Sequence, residues 1–134
     1  MAIAPQYAST PVVTAGILTT GDASLTAPAV SVPIFAPAGG VAGMCERITI
    51  AKLATTTSSV IRIFRHNGTT FYLYAEIQIP ALTLAANTAN PNVTLQAVDY
   101  PDLFPIAVPA TWTLKATIST TQTGIAIQGE GGAF

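Results

Sequence analysis

At 134 residues the chain has room for one domain with a real core and too little for two. Only 8% of it is charged, against roughly a quarter in an ordinary soluble domain, half is apolar, and five basic and six acidic residues leave a net charge of −1. The charges are scattered singly, so no cationic stripe offers itself to nucleic acid, and the single cysteine, Cys45, excludes an intrachain disulfide and a zinc site of the usual Cys/His spacing.

From Met1 to Cys45 the sole charged side chain is Asp22. The opening Met1-Ala2-Ile3-Ala4-Pro5-Gln6 has no basic n-region and no unbroken apolar run, so no signal peptide is expected and the chain reads as soluble, made in a reducing cytoplasm. The most membrane-like stretch, 27–45, contains Pro28, Pro33, Pro37, Gly39, Gly40 and Gly43, which break a spanning helix. Residues 1–44 read as an extended apolar arm with the first strands, and 45–134 as the body of the domain. Ordering forty residues costs on the order of 40–80 kcal/mol, which only extensive burial offsets. Part of Met1 to Pro11 is therefore expected to be ordered by another subunit.

No stretch keeps a 3.6-residue apolar period, whereas short runs rich in Val, Ile, Thr and Tyr recur between Gly, Pro and Asn clusters. The pattern predicts an all-β fold, an antiparallel two-sheet sandwich of jelly-roll type with about eight strands. These are expected over 12–19, 30–35, 46–53, 59–65, 70–79, 92–98, 111–118 and 124–128.

The clearest element is the hairpin about Asn67-Gly68. A two-residue turn would set Arg62 among Phe64, Phe71 and Leu73. A three-residue loop, His66-Asn67-Gly68, with Gly68 as the left-handed residue of a G1 bulge, instead gathers Ile61, Ile63, Phe71, Leu73, Ala75 and Ile77 on one face. The opposite face then carries Val60, Arg62, Phe64, Tyr72, Tyr74 and Glu76. Tyr and Arg suit protein interfaces, so this face either packs on a neighbouring subunit or is covered by the second sheet of the same chain.

Between Pro80 and Pro109, prolines 91, 101 and 105 remove ladder donors and leave edge strands and turns. Trp112, Leu114, Ala116 and Ile118 alternate with polar residues, which predicts a half-buried strand with Trp112 in the core. The ending, with Gly124, Gly129, Gly131 and Gly132, reads as a flexible tail anchored by Phe134, because no helix or Lys follows to cradle a phosphate.

Candidate chemistry is sparse. His66, the only histidine, falls in the hairpin loop without a positioned partner for base catalysis, and Cys45 reads as a small buried thiol. Asp99 and Asp102 flank Tyr100-Pro101 and read as turn formers rather than a Ca²⁺ or acid–base pair. The Asn-x-Thr triplets at 67–69 and 92–94 read as turn and strand residues without a secretory context. No catalytic, cofactor or metal residue is assigned, and an enzyme is not expected.

The segment from Ile61 to Ile77, with its His66-Asn67-Gly68 turn and its Glu76-Ile77 end, resembles a family of small virion proteins of tailed bacteriophages. So do the later Trp112-Thr113-Leu114-Lys115-Ala116-Thr117-Ile118 and the Gly-rich ending from Ile125 to Phe134. The likeness spans about Met44 to Phe134. It implies a virion protein without catalysis, cofactor, nucleic-acid or membrane partner: a head decoration or cement protein, commonly a homotrimer, bridging major capsid protein subunits. A tail, baseplate or head-to-tail component would share the same composition. A carbohydrate-binding module, with Tyr72, Tyr74 and Trp112 stacking on sugar rings, is the reading from a different class.

Overall fold

The computed structural model describes residues 10–134 except 84, 86, 88, 90–92, 97–99 and 102. The described residues form nine strands, β1 (Thr10–Leu18), β2 (Val32–Phe35), β3 (Gly43–Lys52), β4 (Ser59–His66), β5 (Phe71–Ile79), β6 (Val93–Gln96), β7 (Ile106–Val108), β8 (Thr113–Ile118) and β9 (Ile125–Ala133). One sheet runs β1-β9-β3-β6 and the other β2-β8-β4-β5. Every pairing is antiparallel, and the chain crosses between the layers at every step except β4 to β5 and β6 to β7, which is the jelly-roll order. The expected two-sheet sandwich is thus the architecture of the chain. The expected arm falls, apart from Thr10 and Pro11, outside the described residues, and β1 and β2 lie within the two sheets.

Strand alternation supplies the core. Ile48, Ile50, Ile125 and Ile127 from the first sheet meet Ile34, Phe35, Ile61, Ile63, Leu114 and Ile118 from the second, all buried. Each such side chain contributes roughly 1.5–3 kcal/mol by leaving water. The proline-rich stretch behaves as its composition predicts. Both β6 and β7 are short edge pieces that share one side of β3, β7 along Gly43–Cys45 and β6 along Arg47–Ile50.

Three expectations are corrected. The hairpin loop has four residues, Asn67 to Thr70, since His66 pairs with Phe71. The Asn67 carboxamide oxygen accepts the Thr69 and Thr70 amides at 2.9 and 2.7 Å, and Gly68 takes φ +97°, a conformation that glycine adopts without strain. A one-residue register shift between Ile63 and Phe64 then leaves Tyr74 as the extra residue of β5. The two departures cancel for the inner half, where Ile61 faces Ile77 and Ile63 faces Ala75. Beyond the shift they do not cancel. Phe64 faces Leu73, and Arg65 faces Tyr72 and, on its other side, the core residue Leu114. Phe71 and Leu73 therefore leave the expected apolar face, and Tyr72 leaves the row of Arg62 and Phe64.

The second correction concerns the ending. The strand expected over 124–128 does not give way to a tail but runs on to Ala133 as a central strand, bonded to β1 on one side and β3 on the other. Its glycines serve close approach: a Cβ at Gly129 would stand 2.1 Å from the Ile34 carbonyl oxygen of the facing sheet, and one at Gly131 would stand 1.9 Å from the Met44 carbonyl oxygen. The third is Trp112, which precedes β8 and is half-buried against the edge of the core rather than inside it.

Asp22 organises the crossover from β1 to β2. Its carboxylate accepts the backbone amides of Ser24, Ala29 and Val30 at 3.0, 2.7 and 3.1 Å. The Ser24 and Val30 bonds hold its pKa below the ordinary value.

Two outcomes follow from this architecture. Gly129→Ala must displace backbone of the facing sheet and is expected to lose at least about 2 kcal/mol in urea unfolding. Gly124→Ala, whose Cβ would make ordinary contact with Leu53 at 3.6 Å, is the control and should change little; equal losses would refute the close-approach account. Because the folded-state pKa of Asp22 lies below its unfolded value, its bonds are intact above the unfolded carboxylate range and are lost as pH falls through the folded value. The Ala29 and Val30 amide resonances should titrate with a midpoint below about 3.9, and a midpoint at or above it would count against the bonding scheme.

Candidate functional site

Each sheet has an outward face, and their chemistry differs. On the β2-β8-β4-β5 sheet, cross-strand pairing lines up Val60 with Gln78, Arg62 with Glu76 and Thr117, and Phe64 with Leu73 and Lys115. Arg62 Nε donates to Glu76 Oε1 at 2.8 Å. Phe64 is fully buried, edge-on to Phe71 with centroids 5.6 Å apart, and Lys115 Nζ lies 5.7 Å from the Phe71 centroid. On this face Phe64 is covered, while Leu73 beside it is exposed.

The six residues read from the sequence as one surface are therefore divided. Val60, Arg62, Phe64 and Glu76 share the outward face, whereas the bulge takes Tyr72 and Tyr74 off it, Tyr72 into register with Arg65 and Tyr74 against the core. Tyr72 stacks on Trp112 at 5.6 Å and Arg65 lies 4.6 Å above the Tyr74 ring. The Tyr74 hydroxyl donates to the Leu103 carbonyl at 2.5 Å. Tyr72 remains 48% exposed.

The other outward face carries exposed apolar side chains on β1. Three cross-strand rows, Val13–Glu130–Arg47, Ala15–Gln128–Thr49 and Ile17–Ala126–Ala51, run from β1 across β9 to β3. Arg47 and Glu130 pair with each other, so the face presents no unpaired charge along these rows. Val13 is 64% and Ile17 54% exposed. A shallow groove of about 200 Å³ lies among Ala15, Thr49, Ala51, Ala126 and Gln128. A second of about 420 Å³ borders the start of β1, between Thr10 to Thr14 and Ala36, Ala38, Val41 and Phe134.

Sequence reading passed over this surface, although a signal was present. Val12, Gly16 and Leu18 alternate with Val13, Ala15 and Ile17, so β1 is apolar at both parities, the pattern of a strand covered on both faces. In the single chain only the Val12, Gly16 and Leu18 side is covered.

Of the candidate catalytic groups, the two that lie among the described residues, Cys45 and His66, are on different sheets. Cys45 sits in the core on β3, and its burial pushes the thiol up to about 12. His66 ends β4 in the other sheet, its ring 4.2 Å from Phe71 and its Nδ1 accepting the Gly68 amide at 3.3 Å. Desolvation, with Lys115 nearby, lowers its pKa. Asp99 and Asp102 lie outside the described residues. Among the described residues no three His, Cys, Asp or Glu side chains come together as a metal site. Comparison with protein-family models, curated proteins and solved structures found no match to this chain.

The raised thiol pKa has a direct readout. Cys45 should resist a disulfide reagent at pH 8 in the native protein and react stoichiometrically in denaturant; rapid native modification would contradict its burial.

Proposed function

We propose that this chain is a structural protein of a bacteriophage virion, a capsid decoration or cement protein that stabilises the head by bridging neighbouring major capsid protein subunits. The observation that carries the reading is the outward face of β1, β9 and β3, where a strand apolar on both sides is covered on one. Exposed Val13, beside the mutually paired Glu130 and Arg47, and exposed Ile17, beside the small Ala126 and Ala51, favour broad contact with protein. Jelly rolls serve viral capsids and lectins alike, and the likeness of the 61–77 hairpin and the two late strands to small phage virion proteins favours the former.

The mechanism is multivalent clamping. Each contact is individually weak, but a homo-oligomer touching several capsid subunits at once gains through effective concentration. Attraction by net charge plays no part in it. The chain is made in the host cytoplasm and acts on the virion. In the lectin reading Tyr72 and Trp112 would stack on sugar, yet each of these rings already covers one face of the other.

Electron cryomicroscopy of purified particles from the producing bacterium tests the proposal. Hundreds of copies on the head are expected. Copies in small multiples of three or six at the tail, or absence from the particle, would overturn it.

A further inference from the structure

The four sheet edges are not equally protected. On one sheet, β2 is four residues long with Pro33 and a register irregularity, and β5 carries the bulge at Tyr74 and the charge of Glu76. On the other, the edge formed by β6 and β7 is broken into pieces of four and three residues, the second flanked by Pro105 and Pro109. Short strands, proline, bulges and charge are the devices that keep edges from pairing with other chains. The edge strand β1 has nine residues in unbroken register with β9, no charge, and from Val12 to Leu18 no proline. Among the described residues it pairs with a strand on one side only.

We infer that β1 is a pairing edge, and that its occupant is β1 of a second copy of this chain, joined antiparallel about a two-fold axis so that the two sheets become one. Main-chain hydrogen bonds supply the affinity in such strand addition. Full overlap of two nine-residue strands fixes the register with Thr14 on the axis. Val13 then faces Ala15 of the other copy, Val12 faces Gly16 and Pro11 faces Ile17, so large residues meet small ones or proline along both rows. The electrostatics fit a copy of the same strand: β1 carries no charge, and Arg47 and Glu130 of the flanking row are already paired. No like charges are opposed. A charged foreign strand would instead set an unpaired group beside Val13 and Ile17. The contact also joins the two exposed apolar rows into one surface twice as wide.

The contact belongs to the chain itself, so its test involves no virion and its failure is distinct from failure of the proposed function. It gives a dimer, where the resemblance to phage proteins implies a trimer. Sedimentation of the full chain at about 100 μM should return the mass of two 13.8 kDa chains. Val13→Lys and Ile17→Lys, at exposed positions, should each weaken association at least tenfold while near-UV circular dichroism of Trp112 stays native. Leu73→Lys, exposed on the other sheet, should leave it unchanged. For the register, mixed Val13→Cys and Ala15→Cys chains should oxidise chiefly to the heterodisulfide. A monomer, a trimer, a dimer indifferent to the β1 variants, or predominance of homodisulfides would each overturn the inference.

Discussion

Two sheets can close on one another only where their backbones come near enough for the isoleucines between them to interdigitate. In this chain the approach is governed at β9, the strand flanked by β1 and β3. Opposite the Ile34 carbonyl it presents Gly129, and a single added carbon there would lie 2.1 Å from that oxygen. Gly131 does the same for Met44 within the sheet, next to the register irregularity between Cys45 and Arg47. The buried set from both layers, Ile34 and Phe35 against Ile48, Ile50 and Ile127, follows from that approach. So does the position of β1, held in the molecule chiefly by its ladder to β9.

The same glycines explain why the sequence pattern ends the last strand at Gln128 rather than Ala133. Repeated Gly in a strand interior weakens it on propensity alone, and the property that makes it favourable here, a missing Cβ beneath a facing carbonyl, is a relation between sheets with no trace in local pattern. Alternation was informative where one neighbour dominates the environment. Leu114, Ala116 and Ile118 against Thr113, Lys115 and Thr117 gave β8, and the prolines between 80 and 109 gave the edge character of β6 and β7. The hairpin shows the boundary between the two cases. Asn67-Gly68 locates the turn, but the longer loop and the bulge at Tyr74 together restore the parity of a three-residue loop over Ile61 and Ile63, so the inner face alone constrains only the parity of their sum. The aromatic residues beyond the bulge were consequently assigned to the wrong side.

Sparse charge has a structural counterpart. Most of the acidic and basic groups among the described residues are engaged locally: Arg62 with Glu76, Arg47 with Glu130, Asp22 with three backbone amides, Lys52 with the Pro80 carbonyl at 2.8 Å, and Arg65 and Lys115 against aromatic rings, whereas Glu46 is exposed. Charges tied up in this way project little field beyond the surface, and long-range steering of a partner is not what this molecule is built for. In the proposed role, recognition would then rest on shape and on apolar contact at short range.

That requirement returns to β1. An edge strand in a self-sufficient monomer carries its polar parity outward and guards its open side with charge or proline. Here the outward parity is Pro11, Val13, Ala15 and Ile17, and the open side lacks charge. A sequence so composed satisfies itself only when a second strand supplies main-chain partners at the edge and a protein surface covers the outward row. Under the two proposals above, sheet continuation between two copies would meet the first need and widen the face that meets the second, so self-association and attachment to a larger assembly would draw on the same strand.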